Sequence, residues 1–235
     1  MDVERNARLV FEILEDFFPE RARHLAGYIT ESSARSKALD PWLWQQLVKF
    51  IWLLSRSVED LKRGYLEKRI MTMAWAARNI LELSVWIDYC NASNTNARQF
   101  EVDAARDLDG FGKNMQRLEV LERGAKHPDL IQMQKELAEF AKTQYGVSTL
   151  DDDFTRVSDA AKSLGVDRFE PMNKLYSKFA HPTALALNSV DAEEADAGLR
   201  LMFLEDGAET STDSLTKIRN FALIHLPLPG IAATP

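Results

Sequence analysis

The stretch Met71–Cys90, MTMAWAARNILELSVWIDYC, constrains the fold more than any other part of the chain. On a helix advancing about 100° per residue, Trp75, Arg78, Asn79, Glu82, Trp86 and Tyr89 fall within about a third of the circumference. The remaining arc is apolar (Met73, Ala74, Ala76, Ala77, Ile80, Leu81, Leu83, Val85, Ile87), broken only by Thr72, Ser84 and Asp88. A helix that is apolar nearly all round has to be covered on most sides, which places it at the centre of a multi-helix fold. The same helix carries Arg78 and Glu82, one turn apart, toward the interior. Buried charge is tolerated only when paired and hydrogen-bonded, so the polar stripe is where function is expected.

Helical periodicity recurs on both sides. Asp2–Phe18 has apolar residues at Leu9, Val10, Ile13, Leu14, Phe17 and Phe18. Pro19 fits the first turn of a second helix reaching about Ser36. Asp40-Pro41 is a start signal for a helix over Pro41–Arg63, which Gly64 bends or ends. Asn91–Asn96, NASNTN, reads as a loop. A more polar helix follows over Ala97–Gly124, interrupted at Gly110 and Gly112, then another over Leu130–Tyr145. Thr149–Asp153 starts a helix ending near Leu164. Phe169–Ala180 and Pro182–Ser189 are helical and joined at His181-Pro182, and Asp191–Ala197 is a loop or short turn. Leu199–Leu204 is strand or helix, a choice periodicity does not decide at that length. A last helix spans Thr212–Leu226, capped by Thr212 or Asp213, before a loose tail over 227–235. With no repeat and no linker, the expectation is an all-α, single-domain helical bundle over 1–235, of about seven to nine helices. Its core is expected to span about 41–189, with the C-terminal helix over 212–226.

Composition narrows the function classes. Twenty-nine Lys and Arg against 36 Asp and Glu give a net charge of −7, which argues against a non-specific nucleic-acid surface and leaves room for a local basic patch. One cysteine, Cys90, forbids an internal disulfide and fits a reducing compartment. The charged start MDVERNARLV lacks the apolar core of a signal peptide. No window offers the roughly 20 charge-poor apolar residues of a membrane span. A soluble, cytoplasmic protein with no membrane association is expected.

Two constellations carry candidate chemistry. Arg78 and Glu82 share a helix face at i, i+4. They form either the charged wall of a pocket flanked by Trp75, Trp86 and Tyr89, or an ion pair cross-linking helices. Lys174, Ser177 and His181 form one helical stripe of ammonium, hydroxyl and imidazole. Pro182 disfavours helical geometry at His181, leaving the imidazole at a helix end where positive charge is favoured. It is either a proton-transfer group or a histidine satisfied at a helix joint. The residues three before His24, His127, His181 and His225 are Arg21, Gly124, Lys178 and Ala222, so no Glu-x-x-His di-metal motif exists. No HExxH, GxSxG or Walker A sequence occurs, and no metal or cofactor is expected. Cys90 reads as an inert buried thiol. Trp42, Trp44 and Trp52 read as core.

The R-x-x-x-E segment Arg78–Glu82, followed late in the chain by Tyr176-Ser177 and His181, resembles a prokaryotic all-helical family similar to the HEPN-like group (higher eukaryotes and prokaryotes nucleotide-binding domains). The resemblance spans roughly Pro41–Ser189. Active members of that wider group are metal-independent ribonucleases with an Arg and a His a few residues apart. Many others are binding or regulatory modules, and dimers are common. The resemblance implies that Arg78 and Glu82 face His181, Ser177 and Tyr176. His181 would be the acid/base, Arg78 the binder of an anionic group such as a phosphate, and Glu82 an orienting group. Tyr176, Ser177, Lys174 and Asn79 would contact a nucleotide or RNA. The alternative is a non-enzymatic regulatory or protein-interaction module whose polar cluster is structural. The chain departs from the group's pattern at Lys174, Leu175 and Tyr176, where no arginine precedes His181. Arg219 and His225 do meet the spacing and form a secondary candidate pair, in a helix whose neighbours are apolar.

Overall fold

In a computed structural model of the chain, residues 3–34, 41–125, 127–145, 150, 155–181 and 193–226 are described, and every regular element among them is helical. Helix α1 (Val3–Glu12) runs through a π-helical turn (Ile13–Phe17) into α2 (Phe18–Ser33), with Pro19 in the first turn of α2. Then come α3 (Pro41–Leu66), α4 (Ile70–Ala92), α5 (Asn94–Arg123), α6 (Pro128–Tyr145), α7 (Val157–Ser163), α8 (Phe169–Ala180) and α9 (Glu193–His225). The protein is an all-α bundle. Among the described residues no helix is long and apolar enough to cross a membrane.

Helix α4 is central, as its sequence requires. It packs against α3, α5, α7, α8 and α9, and buries Ile70, Met73, Ala74, Ala76, Ala77, Ile80, Leu81, Val85, Ile87 and Cys90. Two glycines set how closely its neighbours approach. Gly64 does not end α3, which continues to Leu66; a Cβ at Gly64 would lie 2.8 Å from Met73 Cγ. Left-handed Lys68 (φ 55°) then turns the chain into α4. In α9, a Cβ at Gly207 would lie 2.5 Å from Leu61 Cδ2, so the bare backbone lets α9 settle on α3. Lys62, nearly buried, ties α3 to the π turn through Glu15 and to Glu59 of its own helix. Burial opposes its charge, but the two carboxylates outweigh that and raise the ammonium above its usual range.

Several boundaries differ from expectation for local reasons. The Asn91–Asn96 loop shrinks to Ser93, which is extended (φ −164°, ψ 154°) and caps α5 by accepting the Asn96 backbone N–H at 3.1 Å. Helix α5 passes unbroken through Gly110 and Gly112 and ends at left-handed Gly124 (φ 72°). Gly112 is a packing glycine, since a Cβ there would meet Gln134 and Met133 at 3.3 Å. Helix α9 is continuous from Glu193, so Leu199–Leu204 is helix and no new helix starts at Thr212. The cap candidates Thr212 and Asp213 lie inside it, Asp213 paired with Lys217 at 2.9 Å, and the hydroxyls that follow bond back to carbonyls of the same helix: Ser214 to Thr210 at 2.7 Å and Thr216 to Thr212 at 2.9 Å. Burial of Leu201, Phe203 and Leu204 holds the segment against its neighbours. The start signals at Asp40, Thr149 and Asp151–Asp153, the segment Pro182–Ser189 and the tail 227–235 lie outside the described residues.

The core cluster draws on α1 to α4, on α7 to α9, and on α5 only at Ala97 and Phe100. Among the described residues it takes none from α6 or from α5 beyond Phe100. Those two form a hairpin of their own, in which Gln134 of α6 accepts from Gln116 and donates to Asp109 of α5.

Candidate functional site

The polar stripe of α4 meets the end of α8. Arg78 Nε donates to Glu82 Oε1 at 2.9 Å, and its Nη1 lies 3.3 Å from Nε2 of His181, 103 positions later in sequence. The pair is not interior as the helix pattern suggested. The Arg78 and Glu82 side chains retain 29% and 27% of their exposure and His181 is exposed, because the neighbouring helices leave this flank of α4 part-open. His181 adopts φ −118° and ψ 155°, the extended geometry favoured before a proline. A guanidinium N–H can only donate, so in this contact Nε2 of His181 is the side that can accept.

The other candidates are placed differently. Tyr176 is fully buried and donates its hydroxyl to Asp206 of α9, which also pairs with Arg168. Burial pushes the Asp206 carboxyl above its usual range, Arg168 opposes this and Glu209 adds to it. Ser177 donates to the Asn173 carbonyl at 2.7 Å. Lys174 is exposed and paired with Glu170, whose carboxyl it holds below the usual range. Asn79 is half-buried on α4 beside Arg78. His181 thus reaches Arg78, while the polar groups of Tyr176, Ser177 and Lys174 are engaged elsewhere. Arg219 and His225, six residues apart, point about 120° from each other around α9. Arg219 is exposed and lines a groove against α2, whereas the His225 ring sits 4.6 Å from that of Phe221.

A cleft of about 340 Å³ adjoins Glu82. Trp86 and Phe100 line its aromatic side, with ring centroids 4.9 Å apart, and Asp103 and Asp107 of α5 line its acidic side. Asp103 is anchored by Gln99 and Arg106, both at 2.9 Å, and by the Thr155 backbone N–H at 3.0 Å. Partial burial, helped by the Asp103 charge, pushes the Asp107 carboxyl above its usual range. Both aspartates were missed in the sequence; their signal was an i, i+4 acidic pair on the helix following α4. Among the described residues no group of three His, Cys, Asp or Glu side chains is placed to hold a metal ion.

Cys90 is buried, and burial pushes its thiol up to about 12, as an inert thiol requires. Of the three tryptophans expected in the core, Trp44 is buried there. Trp42 is half-buried under the Arg98 guanidinium, 5.4 Å away. Trp52 is 57% exposed, because the apolar stripe of α3 is wider than the surface its neighbours cover. No family model, no curated protein and no solved structure matches the chain.

Proposed function

We propose that this is a HEPN-like protein that holds a nucleotide or a single-stranded RNA end at the junction of α4 and α8. Arg78 binds the phosphate, His181 is the acid/base, and Glu82 fixes the guanidinium. The observation that carries the reading is the contact of Arg78 with His181, two groups from distant parts of the chain that share a solvent-open flank. A guanidinium has five N–H donors, and those not engaged by Glu82 and His181 suit phosphate oxygens. The neighbouring cleft fits a base: Trp86 and Phe100 offer aromatic surface, and its carboxylates accept exocyclic amino hydrogens. Those carboxylates, with the net charge of −7, disfavour a long polyanion. On RNA, His181 takes the 2′-hydroxyl proton as the 2′-oxygen attacks phosphorus, then returns it to the departing 5′-oxygen, leaving a cyclic phosphate. The chemistry fits a reducing, cytoplasmic setting.

Phosphorus NMR titration with mononucleotides and short single-stranded RNA tests this reading. A saturable phosphate shift is expected in the parent and is lost in Arg78→Ala. RNA cleavage is expected to be lost in His181→Ala with binding retained. Absence of both binding and cleavage sinks it. Because the Arg78–Glu82 pair is part-exposed, Arg78→Ala should cost about 1 kcal/mol or less. A loss of about 3–5 kcal/mol would mark the cluster as structural.

A second reading, a non-enzymatic interaction module or homodimer, is favoured by the hairpin of α5 and α6. Leu108, Phe111, Leu118 and Leu121 are 46%, 58%, 50% and 82% exposed on one stretch of α5. Concentration-dependent association in sedimentation velocity, abolished by Phe111→Glu, would bring this reading to the front.

A further inference from the structure

A second cavity lies away from the Arg78 cluster and shares no residue with it. The π turn and α2 form one wall and α9 the other, enclosing about 510 Å³, within the range of small-molecule sites. Ile13 and Phe17 on the first wall and Leu223 on the second give it an apolar bed, and they are 47%, 57% and 38% exposed. Among the described residues no carboxylate lines this groove. Each wall instead supplies one exposed arginine, Arg21 from α2 and Arg219 from α9. Neither makes an ion pair with a described residue, in a chain whose acidic residues outnumber its basic ones and engage most of the other arginines. Two guanidiniums with no ion-pair partner among the described residues, over an apolar bed, describe the complement of an amphiphilic anion: the fork takes a carboxylate while the bed takes a hydrocarbon chain.

We infer that this groove binds a medium-chain fatty acid, its carboxylate held by Arg21 and Arg219 and its chain laid along Ile13, Phe17 and Leu223. The charge favours such a ligand, since each wall offers one guanidinium and a carboxylate is the group that two such forks suit.

Isothermal titration with decanoate, kept below its micellar range, tests the assignment on the full chain. Saturable one-to-one binding is expected. In the double variant Arg21→Gln/Arg219→Gln the affinity should fall about tenfold or more, the loss of at least one charge-assisted hydrogen bond. Both arginines are exposed, so the variant should keep the parent circular dichroism and melting temperature. Phe17→Ser is a second, independent variant and should weaken decanoate through the bed alone. Decyltrimethylammonium, with the same tail and opposite charge, should not bind. The proposal is overturned if decanoate fails to bind, if the cationic analogue binds equally, or if dodecyl phosphate binds and decanoate does not. It is equally overturned if the double variant loses self-association instead of decanoate, which would assign the groove to a second copy of the chain.

Discussion

Helix α4 and the distal half of α5 are both long helices in the same bundle, and they solve the burial problem in opposite ways. In α4, apolar side chains such as Met73, Ile80 and Val85 are turned inward and the charged pair Arg78–Glu82 stays at the edge. Past Phe100, α5 turns Asp109 and Gln116 inward against α6, each only 6% exposed, and leaves Leu108, Phe111 and Leu118 in solvent. One region is held by nonspecific burial, which is proportional to area. The other is held by a few hydrogen bonds that must all be made, because an unpaired buried polar group costs more than a bond gains. The first is a scaffold. The second is a surface whose apolar side remains available to another molecule.

Truncating one apolar side chain in each region gives the largest contrast. Ile80→Ala removes a fully buried group of α4 and should cost about 2–5 kcal/mol in urea unfolding. Phe111→Ala removes a larger side chain that is more than half exposed, and should cost no more than about 0.5 kcal/mol. A loss at Phe111 rivalling that at Ile80 would break the comparison, and would mean that something covers the hairpin in solution.

A smaller effect separates the two kinds of cohesion. Gln134 accepts from Gln116 and donates at 3.3 Å to both the carbonyl and the carboxylate of Asp109. Gln134→Leu keeps the bulk but strands both partners, at a cost of about 1–3 kcal/mol. The cost should be local. Amide exchange is expected to accelerate in α6 and in α5 beyond Phe100 while α3 and α4 keep their protection. Uniform acceleration would show that the hairpin and the bundle unfold as one unit.

What the sequence disclosed follows the same divide. The centrality of α4 was legible because burial is written in one-dimensional periodicity, whereas the contact of Arg78 with His181 is not written there and was suggested only by the resemblance of two short motifs. The depth of Arg78 and Glu82 was not legible, since it depends on how far the neighbouring helices cover that flank of α4, which the pattern of one helix does not record. Tyr176 looked like a site residue because a hydroxyl in a short motif gives no hint of Asp206, 30 positions away, waiting to accept it. Helix α9 was read in pieces because Thr212 and Asp213 look like caps. The segment's place in a helix interior rests on the back-bonding of Ser214 and Thr216, on the Asp213–Lys217 pair and on Gly207 clearing Leu61. The acidic cleft went unnoticed because Asp103 and Asp107 acquire meaning only once α5 lies beside Trp86.

The smallest expected effect concerns a carboxylate that the bundle itself takes in. Asp206 is nearly covered, accepts from Tyr176 and pairs with Arg168, yet burial still raises its carboxyl above the usual range. A carboxyl raised on folding binds its proton more tightly in the folded state. Its stabilising contribution is therefore complete below the ordinary value of 3.8 and is lost as pH rises through the folded value. Asp206→Asn is neutral throughout and lacks that dependence. Melting temperatures of parent and variant, measured from about pH 3 to about pH 7, should show the parent losing ground to the variant as pH rises. The opposite slope would mean that Arg168, not burial, sets the state of Asp206. In that case the bundle, like the hairpin, would rest at this point on a made polar contact.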